Sequence, residues 1–95
     1  MYSPDTMKQL VDSFGAAVRQ LREKQGWSQE VLAERADLNR SYVGELERGQ
    51  AIPSLLTLKK LSVALNLSLT SLLKQTEMID QTKAVHGIAL ASIAC

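Results

Sequence analysis

Three polar side chains in the stretch LNRSYVGELERG, residues 38–49, have the chemistry needed to contact the edges of DNA bases. Arg40 can donate two hydrogen bonds to guanine, Ser41 can reach a base or a phosphate, and Glu45 can accept from cytosine. Arg48 extends the same polar surface. Residues of these types on one face of a helix predict contacts in the major groove of DNA.

The same stretch has the pattern of a helix. Asn39 is suited to the N-cap, Val43 and Leu46 form an apolar pair, and Gly49 ends the element. Arg40 then falls in the first turn, where a cation opposes the positive end of the helix dipole at a cost of roughly 0.3–1 kcal/mol. Because the apolar pair must face a core, we expect the polar residues to face outward and this arginine to serve a ligand.

A second helix is predicted just before this one. Ser28 is its cap, and it must end near Asp37 because Asn39 starts the next helix. So short a connection forces a steep crossing, as in a helix-turn-helix, where the second helix can enter a major groove. Gln29, near the start of the first of the two helices, would meet a phosphate. Gly44 would let the backbone of the second come close to the groove wall.

Three further helices must position this pair. The first runs from Ser3-Pro4 to Gly26, the fourth begins at Ser54 and is broken by Asn66, and a short fifth begins at Ser68. Each is too short to be stable alone, so the helices must pack together in an all-α fold. The expected apolar positions are Met7, Leu10, Val11, Phe14, Ala17, Val18 and Leu21 in the first helix, Leu55, Leu58, Leu61, Val63 and Leu65 in the fourth, and Leu69, Leu72 and Leu73 in the fifth.

Length and composition limit the classes of protein to which this sequence can belong. The 95 residues make one small domain, and the aromatic fraction of 4% suits a helical protein. We expect the domain to cover residues 1–75, with the tail 76–95 weakly ordered or in need of a partner. The chain carries 11 Lys and Arg against 10 Asp and Glu, and the segment 28–53 is acidic, with three arginines and five acidic residues. Charge alone therefore argues mildly against DNA, and the prediction depends on where the charges lie.

Several functions find no support in the sequence. The single cysteine, Cys95, excludes an internal disulfide framework, and His86 has no second ligand at metal-binding spacing. No catalytic arrangement or phosphate-binding glycine loop is present, so we expect neither an enzyme nor a cofactor. The longest apolar run, residues 87–95, is far below the ~18 residues of a membrane span, and no signal peptide is visible. A cytoplasmic location without membrane attachment is expected.

The segment SQEVLAERADLNRSYVGELERGQAIPS resembles the helix-turn-helix of the phage repressor and Cro (XRE) family. LNRSYVGELERG is especially similar to controller proteins of restriction–modification systems. The likeness extends from Phe14 to Leu73 and includes the Ser-Gln-Glu opening, Ala33, the Leu-Glu-Arg-Gly close, the following Pro-Ser and a terminal L-S-L-x-x-L-L. It implies a five-helix, lambda-repressor-like DNA-binding domain with the helix-turn-helix at helices two and three.

The resemblance also implies roles for individual residues. Glu47 would pair with Arg22 in a partly buried ion pair, and Asp37 stands where the family often has glycine. Asp tolerates the left-handed conformation of such a turn better than most residues. The DNA-binding set would be Gln29 and Arg48 on phosphate, Arg40, Ser41 and Glu45 on bases, Tyr42 on either, and Asn39 and Gly44 beside them; Leu69, Leu72 and Leu73 would form a dimer contact.

The sequence thus predicts a sequence-specific transcriptional regulator that binds a pseudo-palindromic operator as a homodimer. Double-stranded DNA is the expected partner, and RNA polymerase or a toxin protein are further candidates. Simpler interpretations remain open: Arg40 and Glu45 as solvated side chains, Tyr42 packed against helix two, and Trp27 as a core residue. A different class, a protein-interaction module or antitoxin-type partner with the same fold, is the alternative, suggested by the acidic motif and the apolar IALASIAC tail.

Overall fold

Five α-helices make up the computed structural model, which describes the backbone of residues 3–93 and the side chains of residues 3–82. They are α1 (Pro4–Lys24), α2 (Gln29–Ala36), α3 (Arg40–Glu47), α4 (Leu55–Ala64) and α5 (Leu69–Ile93). The described backbone contains no strand. The predicted all-α architecture, with five helices in this order, is confirmed. No helix among the described residues is long and apolar enough to cross a membrane.

The predicted N-cap residues begin all five helices. Each cap side chain accepts a hydrogen bond from a backbone N–H of the first turn, one of the donors that a helix leaves without a partner. The bonds run from Thr6 to Ser3 (3.2 Å), Val31 to Ser28 (3.1 Å), Ser41 to Asn39 (2.8 Å), Thr57 to Ser54 (3.1 Å) and Ser71 to Ser68 (3.0 Å).

One hydrophobic core joins the helices. Val43 and Leu46 of α3 are fully buried in it, as predicted, together with Leu32 of α2. The predicted inner face of α4 is partly wrong, because Val63 is 63% exposed. It lies two residues after the buried Leu61, about 200° around the helix, and so points away from the core. The predicted positions Met7, Leu10 and Leu55 are also exposed.

The prediction of a short fifth helix is wrong, because α5 is 25 residues long. It passes the expected boundary at residue 75 without a break, since residues 74–83 contain neither glycine nor proline. Its described continuation packs on α1: the Ser13 hydroxyl donates to Asp80 Oδ1 (3.1 Å), and the Gln9 amide donates to the Asp80 carbonyl (3.4 Å). The division of the chain at residue 75 stays a prediction, and the apolar stretch 88–95 lies outside the described side chains.

The same helix corrects one predicted dimer residue. Leu72 is completely buried in the core of its own chain, so it cannot contact a second copy in this conformation. Leu69 is half-buried, and Leu73 is 39% exposed. Only these two of the three leucines lie where a partner could reach them. Periodicity identified the apolar face but could not distinguish burial within one chain from burial between two.

Candidate functional site

A tight turn sets the angle between α2 and α3. Asp37 ends α2 in the left-handed conformation (φ 54°, ψ 49°), and its carbonyl accepts a hydrogen bond from Lys60 Nζ at 3.2 Å. The Leu38 N–H bonds back to the Ala33 carbonyl at 2.8 Å, which satisfies a carbonyl at the end of α2. Three residues, Asp37 to Asn39, thus connect α2 to α3, which confirms the short connection that the sequence predicted.

Six of the eight predicted DNA-binding residues line one depression on the protein surface. The α3 residues form most of it, and the N-terminal residue of α2 closes one side. Members of this depression are Gln29, Arg40, Ser41, Gly44, Glu45 and Arg48. Residues that are far apart in sequence, at the start of α2 and the end of α3, therefore share one surface. We call it the α3 depression.

Arg40 is exposed in the first turn of α3 and makes no ion pair with the described side chains. No acidic residue stands in the first turn to offset its charge. The guanidinium faces solvent, which both a contact with DNA and an ordinary solvated side chain require. Asn39, just before it, uses its side-chain oxygen to cap the helix and does not line the depression.

Tyr42 lies away from the depression. Its ring is half-buried against the core, and its hydroxyl is 3.3 Å from Thr57 Oγ1 at the start of α4. Its ring thus packs against the core that all the helices share, with a contact to α4 that the sequence did not suggest, and its contact with DNA stays a prediction. Because its polar end already has a partner, the structure gives Tyr42 a role in joining α3 to α4.

A buried ion pair lies beneath the depression. The Arg22 guanidinium donates from Nε to Glu47 Oε2 (2.7 Å) and from Nη2 to Glu47 Oε1 (2.9 Å), which confirms the expected pair. The two side chains are 12% and 3% exposed. The hydrogen bond to Glu47 raises the pKa of Arg22 above its ordinary value, against the opposing effect of burial. Arg22 also donates to the Trp27 carbonyl (2.8 Å), so α1, α3 and the segment before α2 are tied together.

Gln29 is tied to the same carboxylate. Its amide Nε2 donates to Glu47 Oε1 at 3.0 Å, while its side chain also lines the depression. Glu47 can only accept when ionised, so it selects the amide nitrogen and leaves one N–H and the oxygen of Gln29 for a ligand. The buried carboxylate of Glu47 therefore determines the orientation of the Gln29 side chain.

Gly44 does not present bare backbone to solvent as expected. It is buried, and a Cβ placed on it would lie 2.9 Å from Arg48 Nη1 and 3.5 Å from Gln29 Oε1. Two side chains therefore cover the glycine. The sequence pattern could not show this, because the covering residues come from a different turn and a different helix.

One contributor to the site was missed. Gln50 accepts a hydrogen bond from Arg48 Nε at 3.0 Å, although it lies beyond the end of α3. Trp27 packs against the core, in agreement with its interpretation as a core residue, and its ring centre lies 4.5 Å from the Arg35 guanidinium in a cation–π contact. Within the described residues, no three His, Cys, Asp or Glu side chains come together as metal ligands. The predicted lone His86 and terminal Cys95 lie outside the described side chains.

The similarity to known proteins includes the helix-turn-helix segment. Residues 18–72 match the model of a helix-turn-helix family. The control protein C.BamHI of Bacillus amyloliquefaciens is 44% identical over 64 residues, which are 66% of this chain and 79% of that protein. The crystal structure of the restriction–modification controller protein C.AhdI from Aeromonas hydrophila is 48% identical, with a TM-score of 0.63 over 66% of this chain and 94% of that one.

A third similar protein was solved with DNA bound. The biofilm regulator SinR in complex with DNA is 38% identical, with a TM-score of 0.59 over 63% of this chain and 97% of that chain. Other relatives are longer. The chain spans 51% of the length of an immunity repressor of Bacillus phage phi105, to which it is 31% identical over 77% of its own residues.

Proposed function

The chain belongs to the XRE-type helix-turn-helix family of DNA-binding transcription regulators, and we propose that it is a sequence-specific regulator that binds its operator as a homodimer. Helix α3 enters the major groove, and the N-terminus of α2 approaches the phosphate backbone. The operator is pseudo-palindromic, with half-sites about one helical turn (~34 Å) apart. Arg40, Ser41 and Glu45 contact bases, and Gln29 and Arg48 contact phosphates.

The observation that carries this proposal is the α3 depression with an unpaired arginine at its edge. Arg40 occupies a helix position that is unfavourable for a cation, and no described carboxylate neutralises it. A guanine edge or a phosphate would supply the missing acceptors. Arg48 lines the same depression and gives it a second cation.

The dimer contact is proposed on the outer side of α5, at Leu69 and Leu73. The Thr6, Leu10 and Leu73 side chains line a groove between α1 and α5, so an apolar surface continues beyond the helix itself. A second copy placed there would repeat the contact about a two-fold axis. Two-fold symmetry of the protein is what requires two symmetric half-sites in the operator.

Selection of bound sequences from random duplex DNA tests the proposal. A symmetric motif with two half-sites about one turn apart is expected. Affinity for the selected duplex should then fall with log salt, with a slope near −0.9 per phosphate contact. Absence of any enriched sequence at low ionic strength would overturn the proposal.

A protein-interaction module is the second candidate. Apolar side chains around α4 favour it, because Ile52, Leu55, Leu56 and Val63 are all more than 60% exposed. An antitoxin-type partner protein would cover such a surface. The salt titration separates the two candidates, since an apolar interface responds little to ionic strength whereas a phosphate interface responds steeply.

A further inference from the structure

Arg48 folds back over the helix that it ends. It is the C-cap residue of α3, and its guanidinium lies above Gly44, one turn earlier. A Cβ at position 44 would be 2.9 Å from Arg48 Nη1 and 3.6 Å from Cζ. The guanidinium thus occupies the space that any other residue at position 44 would fill.

Backbone conformation does not explain this glycine. Among the described residues, the glycines with positive φ are Gly26 and Gly49, whereas Gly44 has an ordinary helical backbone. Glycine in a helix interior is less favourable than alanine. Glycine at position 44 therefore contributes the space that a side chain would otherwise occupy.

Gln50 holds the guanidinium from the other side. Its Oε1 accepts from Arg48 Nε at 3.0 Å, so the guanidinium is held at Nε by Gln50 while Nη1 lies above Gly44, and the Arg48 side chain lines the α3 depression. Glu45 lines the same depression, yet no ion pair joins it to Arg48 among the described side chains. Among the described side chains, Arg48 uses only Nε in a hydrogen bond, so its Nη1 and Nη2 donors are available to a ligand.

We propose that Gly44 and Gln50 are positioning residues that preorganise Arg48 for a phosphate of the operator. This inference rests on the proposed DNA-binding function. A free arginine side chain has a large rotamer entropy, part of which is lost when it binds. Holding the guanidinium in place beforehand reduces that loss and so increases affinity. Gly44 thereby serves the DNA contact indirectly, without itself approaching the groove.

A double-mutant cycle tests the proposal with the full chain and its selected duplex. Gly44→Ala should raise the denaturant midpoint, because alanine favours the helix and the tip of Arg48 can move aside. Its DNA affinity should nevertheless fall about tenfold, the larger part of the rotamer term. In the Arg48→Ala background the same substitution should cause no further loss. Equal losses in both backgrounds, or none in either, would overturn the proposal.

Gln50→Ala provides the second arm. It should weaken binding by less than Gly44→Ala, and again only when Arg48 is present. Gln25→Ala, which removes an exposed glutamine at the C-terminal end of α1, is the matched control and should leave affinity unchanged.

A readout without DNA separates this inference from the proposed function. The Nε–H resonance of Arg48 in NMR spectra of the free protein should be ordered and slow to exchange, and both Gly44→Ala and Gln50→Ala should abolish that order. A mobile Arg48 in the free wild-type protein would overturn the preorganisation even if DNA binds. An ordered Arg48 in a protein that binds no duplex would instead show that the proposed function, and with it the DNA role of this arrangement, is wrong.

Discussion

Glu47 and Arg22 form a bidentate ion pair between α3 and α1, with Nε–Oε2 and Nη2–Oε1 distances of 2.7 and 2.9 Å. The carboxylate also accepts from Gln29, so one buried group connects the position of α3 to the orientation of a residue in the α3 depression. The hydrogen bond to Glu47 raises the pKa of Arg22 above its ordinary value, so the guanidinium stays charged and its stabilising effect would be lost only as the pH rises through that raised pKa.

Truncating one partner of this pair should destabilise the domain strongly. Glu47→Ala leaves the Arg22 guanidinium buried without its counter-charge, and we expect the free energy of unfolding to fall by about 3–5 kcal/mol. Urea denaturation followed by circular dichroism measures this change. Glu45→Ala, two residues earlier and partly exposed, is the matched control, with an expected change within about 0.5 kcal/mol. Similar values for the two variants would contradict the role of the pair.

Arg40→Ala should separate stability from binding. Removing a cation from the first turn of α3 is expected to raise the free energy of unfolding by roughly 0.3–1 kcal/mol. The affinity for the selected duplex should fall by about 1–3 kcal/mol, with relaxed preference at one base pair. Denaturation and fluorescence anisotropy provide the two measurements.

Arg19→Ala is the charge-matched control for that experiment. Arg19 is exposed on α1, pairs with Glu23 and lies outside the depression. It should leave base preference unchanged. If both variants lowered affinity equally at every sequence, Arg40 would act only as a positive charge and not as a base-contacting residue.

Local chemistry explains how much of the fold was predictable. A cap residue and its partner, or two apolar residues on one helix face, lie within one or two turns of each other in the sequence. The Ser and Asn caps therefore predicted where the helices begin, and the spacing of Val43 and Leu46 predicted the two faces of α3. The pair of Arg22 with Glu47 came from resemblance to a family, because twenty-five positions separate the partners.

The parts that could not be predicted depend on contacts between elements. Gly44 was expected to be bare, but Gln29 of α2 and the folded-back Arg48 cover it. Tyr42 was placed near DNA by analogy, yet Thr57 of another helix supplies a partner for its hydroxyl. Periodicity predicts which face of a helix is buried, but it does not predict which other residues cover that face.

Two neighbouring leucines of α5 should respond differently to truncation. Leu72→Ala should lower the free energy of unfolding by about 2–5 kcal/mol, because Leu72 is fully buried in the core. Leu73→Ala, at a position that is 39% exposed, should change the stability of the monomer little but weaken the proposed dimer. Denaturation of dilute protein and analytical ultracentrifugation over a range of concentrations measure the two effects. A Leu73→Ala protein that dimerises like the wild type would place the dimer contact elsewhere.

Substitutions of Asp37, the left-handed residue between α2 and α3, should change stability according to the backbone strain of the new residue. Asp37 has φ 54°, a conformation that is unfavourable by about 1–2 kcal/mol for a residue with a Cβ and less so for Asp. We therefore expect stability to decrease in the order Asp37→Gly, wild type, Asp37→Ala, with steps of up to about 1 kcal/mol. Both variants keep the hydrogen bond from Lys60 to the backbone carbonyl, and both lose the exposed ion pair of Lys60 with the Asp37 carboxylate (3.6 Å), so the difference between glycine and alanine reports the backbone strain alone.

The same pair of variants distinguishes strain from charge in DNA binding. Each removes one exposed carboxylate from the acidic helix-turn-helix segment, so electrostatic repulsion from DNA falls equally in both. Any gain in affinity shared by the glycine and alanine variants is then due to charge, and any difference between them is due to the geometry of the turn. Denaturation gives the ranking, and anisotropy on the selected duplex gives the affinities. If alanine proved as stable as glycine, the left-handed conformation at this turn would be contradicted, because only glycine adopts it without strain.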